Sequence, residues 1–291
     1  MLNAFTVTPL NTFRQHFVQL TEALLDTDLT QVGEWQSQKI DTPMHELLHV
    51  VVDMPIAETI EQAGEMTGAR LPWAEDHFLE RVSGEPLNPS PSEQWWPFRK
   101  KSADGGTNEE HKSEGAAFSH TYPERIWPKW AGQRFDSAMP AHGIRFDYGD
   151  LDDVVNQLIK SPMTRQAYLP IWFPEDTGAV HGKRVPCTLG YHFIIRDGKL
   201  DISYFMRSTD LLRHYQDDIF MAMRLAQWVV QRINNHYAQL YLNDYHQTGA
   251  YPSPEDELQV GQLIFHTANM HIFEGDEALI QFWKTQDRIW F

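Results

Sequence analysis

The sequence predicts an α+β fold in which a mixed or mainly antiparallel sheet packs against long helices. Three observations carry that expectation. Two strand-like runs, TLGYHFII (188–195) and LDISYFM (200–206), flank Arg196-Asp197-Gly198-Lys199, and Asp-Gly between apolar runs is a strong hairpin signal because both residues tolerate positive φ. The next segment, DDIFMAMRLAQWVVQRI, sets Ile219, Ala222, Met223, Ala226, Val229, Val230 and Ile233 along one helical face. Strands precede and follow long helices without a regular βαβ rhythm, as in an α+β domain.

Taken in chain order, the opening MLNAFTVTPLNTFRQHF has no basic stretch leading into an uninterrupted apolar run, so no secretory signal is expected. MHELLHVVVDM (44–54) reads as an apolar helix, with Thr42 as cap and Pro43 suited to the first turn. Three stretches rich in Pro, Gly, Ser and charge, at 83–97, 100–117 and 244–258, read as loops. The segments between them do not look individually complete. Residues 1–291 are therefore expected to form a single domain, with insertions near 83–117 and 244–258.

Bulk chemistry narrows the function. Net charge is −16, from 24 Lys+Arg against 40 Asp+Glu, which argues against gripping a nucleic-acid polymer. A few convergent arginines can still bind a small anion, so nucleotides, if relevant, are monomers. No apolar segment approaches the roughly 20 residues needed to span a bilayer. One cysteine in 291 residues cannot form an internal disulfide, so no oxidising compartment is required. A soluble cytoplasmic protein is expected.

That cysteine, Cys187, follows Pro186 and opens the hairpin. Alone, it is either a small buried hydrophobe or a nucleophile. The hairpin's second strand ends in Arg207-Ser208-Thr209-Asp210, and arginine and serine are good phosphate ligands. A thiol and a phosphate site can thus share one pocket.

Pro186-Cys187, the two strands, Arg207-Ser208-x-Asp210 and the helix entered at Asp218 together resemble the thymidylate synthase superfamily. MHELL (44–48) resembles its HELLWFL helix, TYPERIW (121–127) its VYGxQWR segment, SPMTRQAYLPIW (161–172) its SRRxxVSAW strand, and GQLIFHTANMHIF (261–273) its GDLIHTxGDAHIY strand. The matches keep the family order from residue 44 to 273.

The resemblance implies a thymidylate synthase-like homodimer, joined through its sheets, that acts on a small nucleotide and a folate. It implies 5,10-methylenetetrahydrofolate as one-carbon donor and no metal. Cys187 is then the thiolate that attacks C6 of a pyrimidine, making C5 nucleophilic. Glu46 matches the carboxylate that moves protons; read locally, it is a charge favoured at a helix N-terminus. Tyr122 matches a proton-relay residue or is merely structural. Arg207 and Ser208 are implied to hold the phosphate, with Arg207 lowering the thiol pKa. Arg165 matches the first of two arginines that reach across the dimer, but Gln166 stands where the second is usual. His271 matches a sugar-hydroxyl ligand, while its usual tyrosine partner is Phe273, which cannot donate a hydrogen bond. A ribonucleotide therefore stays open. Asp210 matches a residue near the folate.

Asp218 occupies the position of the uracil-reading asparagine, and aspartate there marks the deoxycytidylate hydroxymethylases. A carboxyl accepts from the cytosine amino group and, when protonated, serves N3. The alternative is an acidic start to the helix at Asp217-Asp218. Thr188 stands where histidine usually follows the cysteine, and only the residues from Ile272 to Phe291 follow the histidine motif. Both fit a site less sealed against water. The expected reaction is hydroxymethylation of dCMP at C5 through a Cys187–C6 adduct. Methylation, a dUMP or CMP substrate, and a catalytically inactive nucleotide-binding homologue remain as alternatives.

Overall fold

The computed structural model describes residues 2–8, 12–32, 34–35, 38–39, 41–95, 118, 120–131, 149–177, 185–244 and 257–285. The expected insertion at 100–117 and most of that at 244–258 lie outside these residues. The elements in order are β1 (Asn3–Thr6), α1 (Phe13–Leu25), β2 (Leu29–Thr30), β3 (Glu34–Trp35), β4 (Gln38–Lys39), β5 (Met44–Pro55), α2 (Ile60–Thr67) and α3 (Trp73–Arg81). There follow α4 (Tyr122–Ile126), α5 (Leu151–Lys160), β6 (Tyr168–Pro170), β7 (Thr188–Arg196), β8 (Lys199–Met206), β9 (Thr209–Asp210), α6 (Gln216–Asp244), β10 (Gln259–Phe273) and α7 (Glu277–Thr285).

The main sheet runs β1-β5-β10-β8-β7-β6, with β2 added beside β5 and β9 beside β10. β1/β5 and β10/β8 are parallel; β5/β10, β8/β7 and β7/β6 are antiparallel. This is the expected α+β architecture with a mixed sheet. The hairpin forms as read: Arg196 pairs with Lys199, and Asp197 and Gly198 both take positive φ, 49° and 70°, a two-residue turn whose twist matches the strands it joins.

One element departs from expectation. Residues 44–54 are not a helix but most of β5. Met44, Leu47, Leu48 and Val51 have helical spacing, yet Val50-Val51-Val52 are β-branched and fit a pleated surface better. At His49, whose φ is 55°, the inward face passes from His45 and Leu47 to Val50, Val52 and Met54. β1 and β10 pair with β5 on its two sides, and that pairing overrides the local helical pattern.

The long helix begins at Gln216, just before the expected entry at Asp218. A π-helical turn over Leu211–Tyr215 leads into it, with Asp210 accepting from the Leu212 and Arg213 amides. Its predicted apolar face is buried at Ile219, Ala222, Met223, Ala226, Val229 and Ile233, while Val230 is partly buried against the same core. Tyr204 of β8, Phe265 of β10 and Tyr215 pack edge-to-face between helix and sheet, with ring centroids 5.3–5.5 Å apart. Among the described residues no helix is long and apolar enough to cross a membrane.

Candidate active site

Cys187, Tyr122, Arg207, Ser208, Asp210, Asp218 and His271 line one cleft above the β7–β8 hairpin. Register explains much of this. The Arg207 amide donates to the Cys187 carbonyl at 2.9 Å, which sets the two residues side by side at the open end of the hairpin. The Arg207 guanidinium turns back along the same edge, its Nε donating to the Pro186 carbonyl at 2.9 Å and Nη2 to Val185 at 3.2 Å.

Thr188 is buried directly after the cysteine. Its hydroxyl lies 3.2 Å from the Tyr122 hydroxyl and 3.0 Å from that of Tyr204, making a chain of O–H groups beside the thiol. Tyr204 stacks on Tyr191 with centroids 4.6 Å apart. Burial, reinforced by Cys187 and Asp218 and opposed by Arg81, raises the Tyr122 hydroxyl well above its ordinary value, so it stays protonated.

The two aspartates at the start of α6 behave differently. Asp217 is taken by Arg70, whose amide and Nη1 donate to its two oxygens at 2.8 and 2.6 Å. Asp218 has no such pairing among the described residues. Burial pushes its carboxyl up to about 7, with Asp217 adding to the rise and Arg81 opposing it. Near neutral pH both its protonated and its ionised form are accessible.

His271 Nδ1 lies 3.3 Å from the Ser208 hydroxyl and 3.1 Å from Asn269 Oδ1. Burial lowers its pKa despite the carboxylates of Asp210 and Glu46, and among the described residues its buried Nε2 has no hydrogen-bond partner. A neutral ring with one unsatisfied nitrogen in a cleft suits a ligand hydroxyl. Glu46 accepts from Asn269 Nδ2 at 2.5 Å. It stands on strand β5 and not on a helix, one residue back from the cleft wall. Arg165 is exposed and does not reach the cleft of its own chain; its carbonyl contacts His192 Nε2 at 3.0 Å.

Asp210 does line the cleft, but its carboxylate is heavily engaged. Oδ1 accepts from the Leu212 and Arg213 amides and Oδ2 from the Arg213 guanidinium. Burial works against its charge, yet Arg213, His271 and His214 hold it below the ordinary carboxylate range. Arg213 also pairs with Asp276 at 2.7 Å and sits 5.0 Å over the Phe273 ring. Phe273 thus serves as the face for a fixed cation, a role that needs no hydroxyl.

Sequence reasoning missed the opposite wall. Trp73, His77 and Arg81 of α3 line the cleft together with Glu93. Their spacing, Trp-x3-His-x3-Arg, is one stripe of a helix, and that stripe was the available signal. Trp73 and His77 stack with centroids 5.0 Å apart. His77 Nδ1 meets the Ser92 hydroxyl at 2.7 Å, and its Nε2 lies 3.7 Å from Glu93. Arg81 lies over the Tyr122 ring at 4.0 Å. Among the described residues no group of three His, Cys, Asp or Glu side chains is arranged to hold a metal ion.

The family model of thymidylate synthase matches residues 93–247, more than half of the chain. Among curated relatives, a putative thymidylate synthase of Methanosarcina barkeri (strain Fusaro) is 26% identical over 116 residues, covering 40% of this chain and 46% of that protein. A deoxyuridylate hydroxymethyltransferase of Bacillus phage SP01 is 32% identical over 150 residues, 45% of this chain and 36% of that protein. The chain thus spans less than half the length of either.

Proposed function

The chain belongs to the thymidylate synthase family, and from that premise we propose that it hydroxymethylates C5 of a cytidine monophosphate nucleotide, dCMP above others. The observation that carries this reading is Asp218, a buried carboxyl poised near neutrality on the wall of the cleft that also holds Cys187. As an acid it donates to cytosine N3 and accepts from the amino group. A neutral acid also matches uracil by exchanging the two roles, so ionisation separates the bases. A carboxylate facing uracil O4 has no proton to share. Facing cytosine, the carboxyl keeps its proton to higher pH, because N3 accepts it more strongly than uracil O4 does. The preference for cytosine therefore widens as pH rises through 7.

The roles follow from the chemistry of each group. Cys187 attacks C6. Arg207 and Ser208 hold the phosphate, and the free His271 Nε2 takes a sugar hydroxyl. The Tyr122–Thr188–Tyr204 hydroxyl chain orients polar groups beside the adduct, which favours addition of water to C5's exocyclic carbon over a dry site. Glu46 acts through Asn269 and His271, and Glu93 on the cleft wall is a further carboxylate for moving the C5 proton. Bound 5,10-methylenetetrahydrofolate supplies the one-carbon unit. The flat Trp73–His77 pair suits its ring, and Asp210 borders the same space.

A homodimer fits the sheet's outer face, where Val51, Ile264, Phe205 and Ile194 on neighbouring strands remain partly exposed. In it Arg165 would serve the neighbouring copy's phosphate.

One relative favours a second reading, dUMP as substrate: the SP01 protein is named for deoxyuridylate. Incubation with methylenetetrahydrofolate and equal dCMP, CMP and dUMP decides, with nucleotide masses as readout. Gain of one CH2O unit on a cytidine nucleotide is the expected result. Gain of a CH2 unit would replace hydroxymethylation by methylation, and modification of dUMP alone would overturn the cytosine reading.

A further inference from the structure

Among the described residues three arginines are buried, Arg81, Arg125 and Arg224, and of these Arg81 alone has no carboxylate beside it. Arg70 is paired with Asp217 at 2.6 Å, Arg125 with Asp176 at 2.9 Å, Arg213 with Asp276 at 2.7 Å and Arg224 with Glu75 at 2.8 Å. Arg81 is 5% exposed. Among the described residues no carboxylate lies within ion-pair distance of it, and its Nε has no hydrogen-bond partner. A buried cation without a counter-ion is costly, and a fold keeps one where negative charge arrives later.

The surroundings indicate where that charge arrives. Arg81 sits 4.0 Å over the Tyr122 ring and lines the cleft with Cys187 and Asp218. Burial opposes its charge, but Tyr191, Tyr122, Tyr204 and Asp218 all act to hold it protonated. Asp218 is thus near enough to sense Arg81 without touching it. The groups facing Asp218 are Arg81 from α3, Tyr122 from α4, Tyr191 from β7, Tyr204 from β8 and Asp217 on its own helix, and Asp217 is already neutralised by Arg70. Arg81 is the one cation in that set with charge to spare.

Building on the reading above, we propose that Arg81 is the reserved counter-ion of Asp218, stabilising the carboxylate formed when Asp218 passes its proton to the pyrimidine. Addition of the Cys187 thiolate forms the S–C6 bond. The C5=C6 pair moves to C4–C5, the C4=N3 pair moves onto N3, and N3 takes the proton of Asp218. No group leaves and nothing is oxidised. The negative charge that began on sulfur ends on Asp218, opposite Arg81. Expulsion of the thiolate returns the proton. The productive complex carries Asp218 as the acid, so within it the charge opposite Arg81 appears only on addition and lowers the barrier more than it tightens ground-state binding. Arg81 acts through Asp218 and is a positioning residue.

Addition can be read separately from the rest of the reaction as tritium release from [5-³H]dCMP, with tetrahydrofolate present. Arg81→Met is expected to slow release by about 10²–10³-fold, the usual scale for losing one preorganised charge-stabilising group, with calorimetric dCMP affinity changed only a few-fold. The alkaline limb of the rate profile should move to higher pH, because Asp218 loses the charge that favours its ionised form. Arg81→Lys keeps the charge; it should recover at least tenfold of the rate and restore the limb. Undiminished release by Arg81→Met, or an unmoved limb, overturns the inference alone. So does loss of dCMP affinity in both variants, which would make Arg81 a binding or structural residue. No release from [5-³H]dCMP or [5-³H]dUMP by the unaltered protein overturns the proposed function and this inference with it.

Discussion

Asp218→Asn removes one ionisable group while keeping its shape, and the consequence for stability follows from the site. Burial raises the Asp218 carboxyl from an ordinary 3.8 to about 7 in the folded protein, whereas the unfolded chain ionises at the ordinary value. Between these values the folded state holds the proton and the unfolded state does not. Stability is therefore fully present below pH 4 and falls as pH rises towards 7. At 1.36 kcal/mol per unit of pKa difference, the loss attributable to this group between pH 5 and pH 8 is about 2.5 kcal/mol. Urea unfolding of both proteins at the two pH values measures it: the unaltered protein should lose about 2.5 kcal/mol more than Asp218→Asn over that interval. Parallel pH dependence in the two proteins would falsify the claim that Asp218 is buried without an adequate counter-ion, and with it the picture of an acid poised to share its proton with a base.

Three other expectations address separate parts of the account. Cys187→Ser should abolish turnover in the mass assay while leaving dCMP affinity within a few-fold by calorimetry; full activity would remove the covalent step. His271→Ala should raise KM for dCMP about tenfold, the scale of one neutral hydrogen bond, with a smaller effect on the 3′-deoxy analogue; equal effects on both would disconnect Nε2 from the sugar. Arg125→Met leaves Asp176 buried without its partner and should cost about 3–5 kcal/mol by urea unfolding; a loss below 1 kcal/mol would show that Asp176 takes up a proton or reaches water.

The legible parts of this protein were those where local chemistry and tertiary position agree. Asp197-Gly198 both dictates and receives a positive-φ turn, so the hairpin and the adjacency of Cys187 to Arg207 could be read from spacing alone. The apolar stripe of α6 likewise serves the core it predicts. Residues 44–54 failed because helical and strand periodicities coincide in a short apolar run, and pairing with distant β1 and β10 decides between them. Glu46 consequently sits behind the cleft wall. Arg81 was missed for a different reason: its place on the Trp73–His77 stripe was legible, but its burial was not. A buried, unpaired guanidinium has the same sequence signature as a surface one, and its environment exists only once α3, α4 and the sheet are assembled.

Trapping with a C5-blocked substrate tests the central claim most directly. The protein is given methylenetetrahydrofolate with equal 5-fluoro-dCMP and 5-fluoro-dUMP, whose fluorine cannot be removed as a proton, and its intact mass and tryptic peptides are then measured. The account predicts a covalent complex carrying 5-fluoro-dCMP, mapped to the peptide that contains Cys187. An adduct of 5-fluoro-dUMP in its place would contradict Asp218 as a cytosine reader, and absence of any adduct at Cys187 would contradict the covalent mechanism itself.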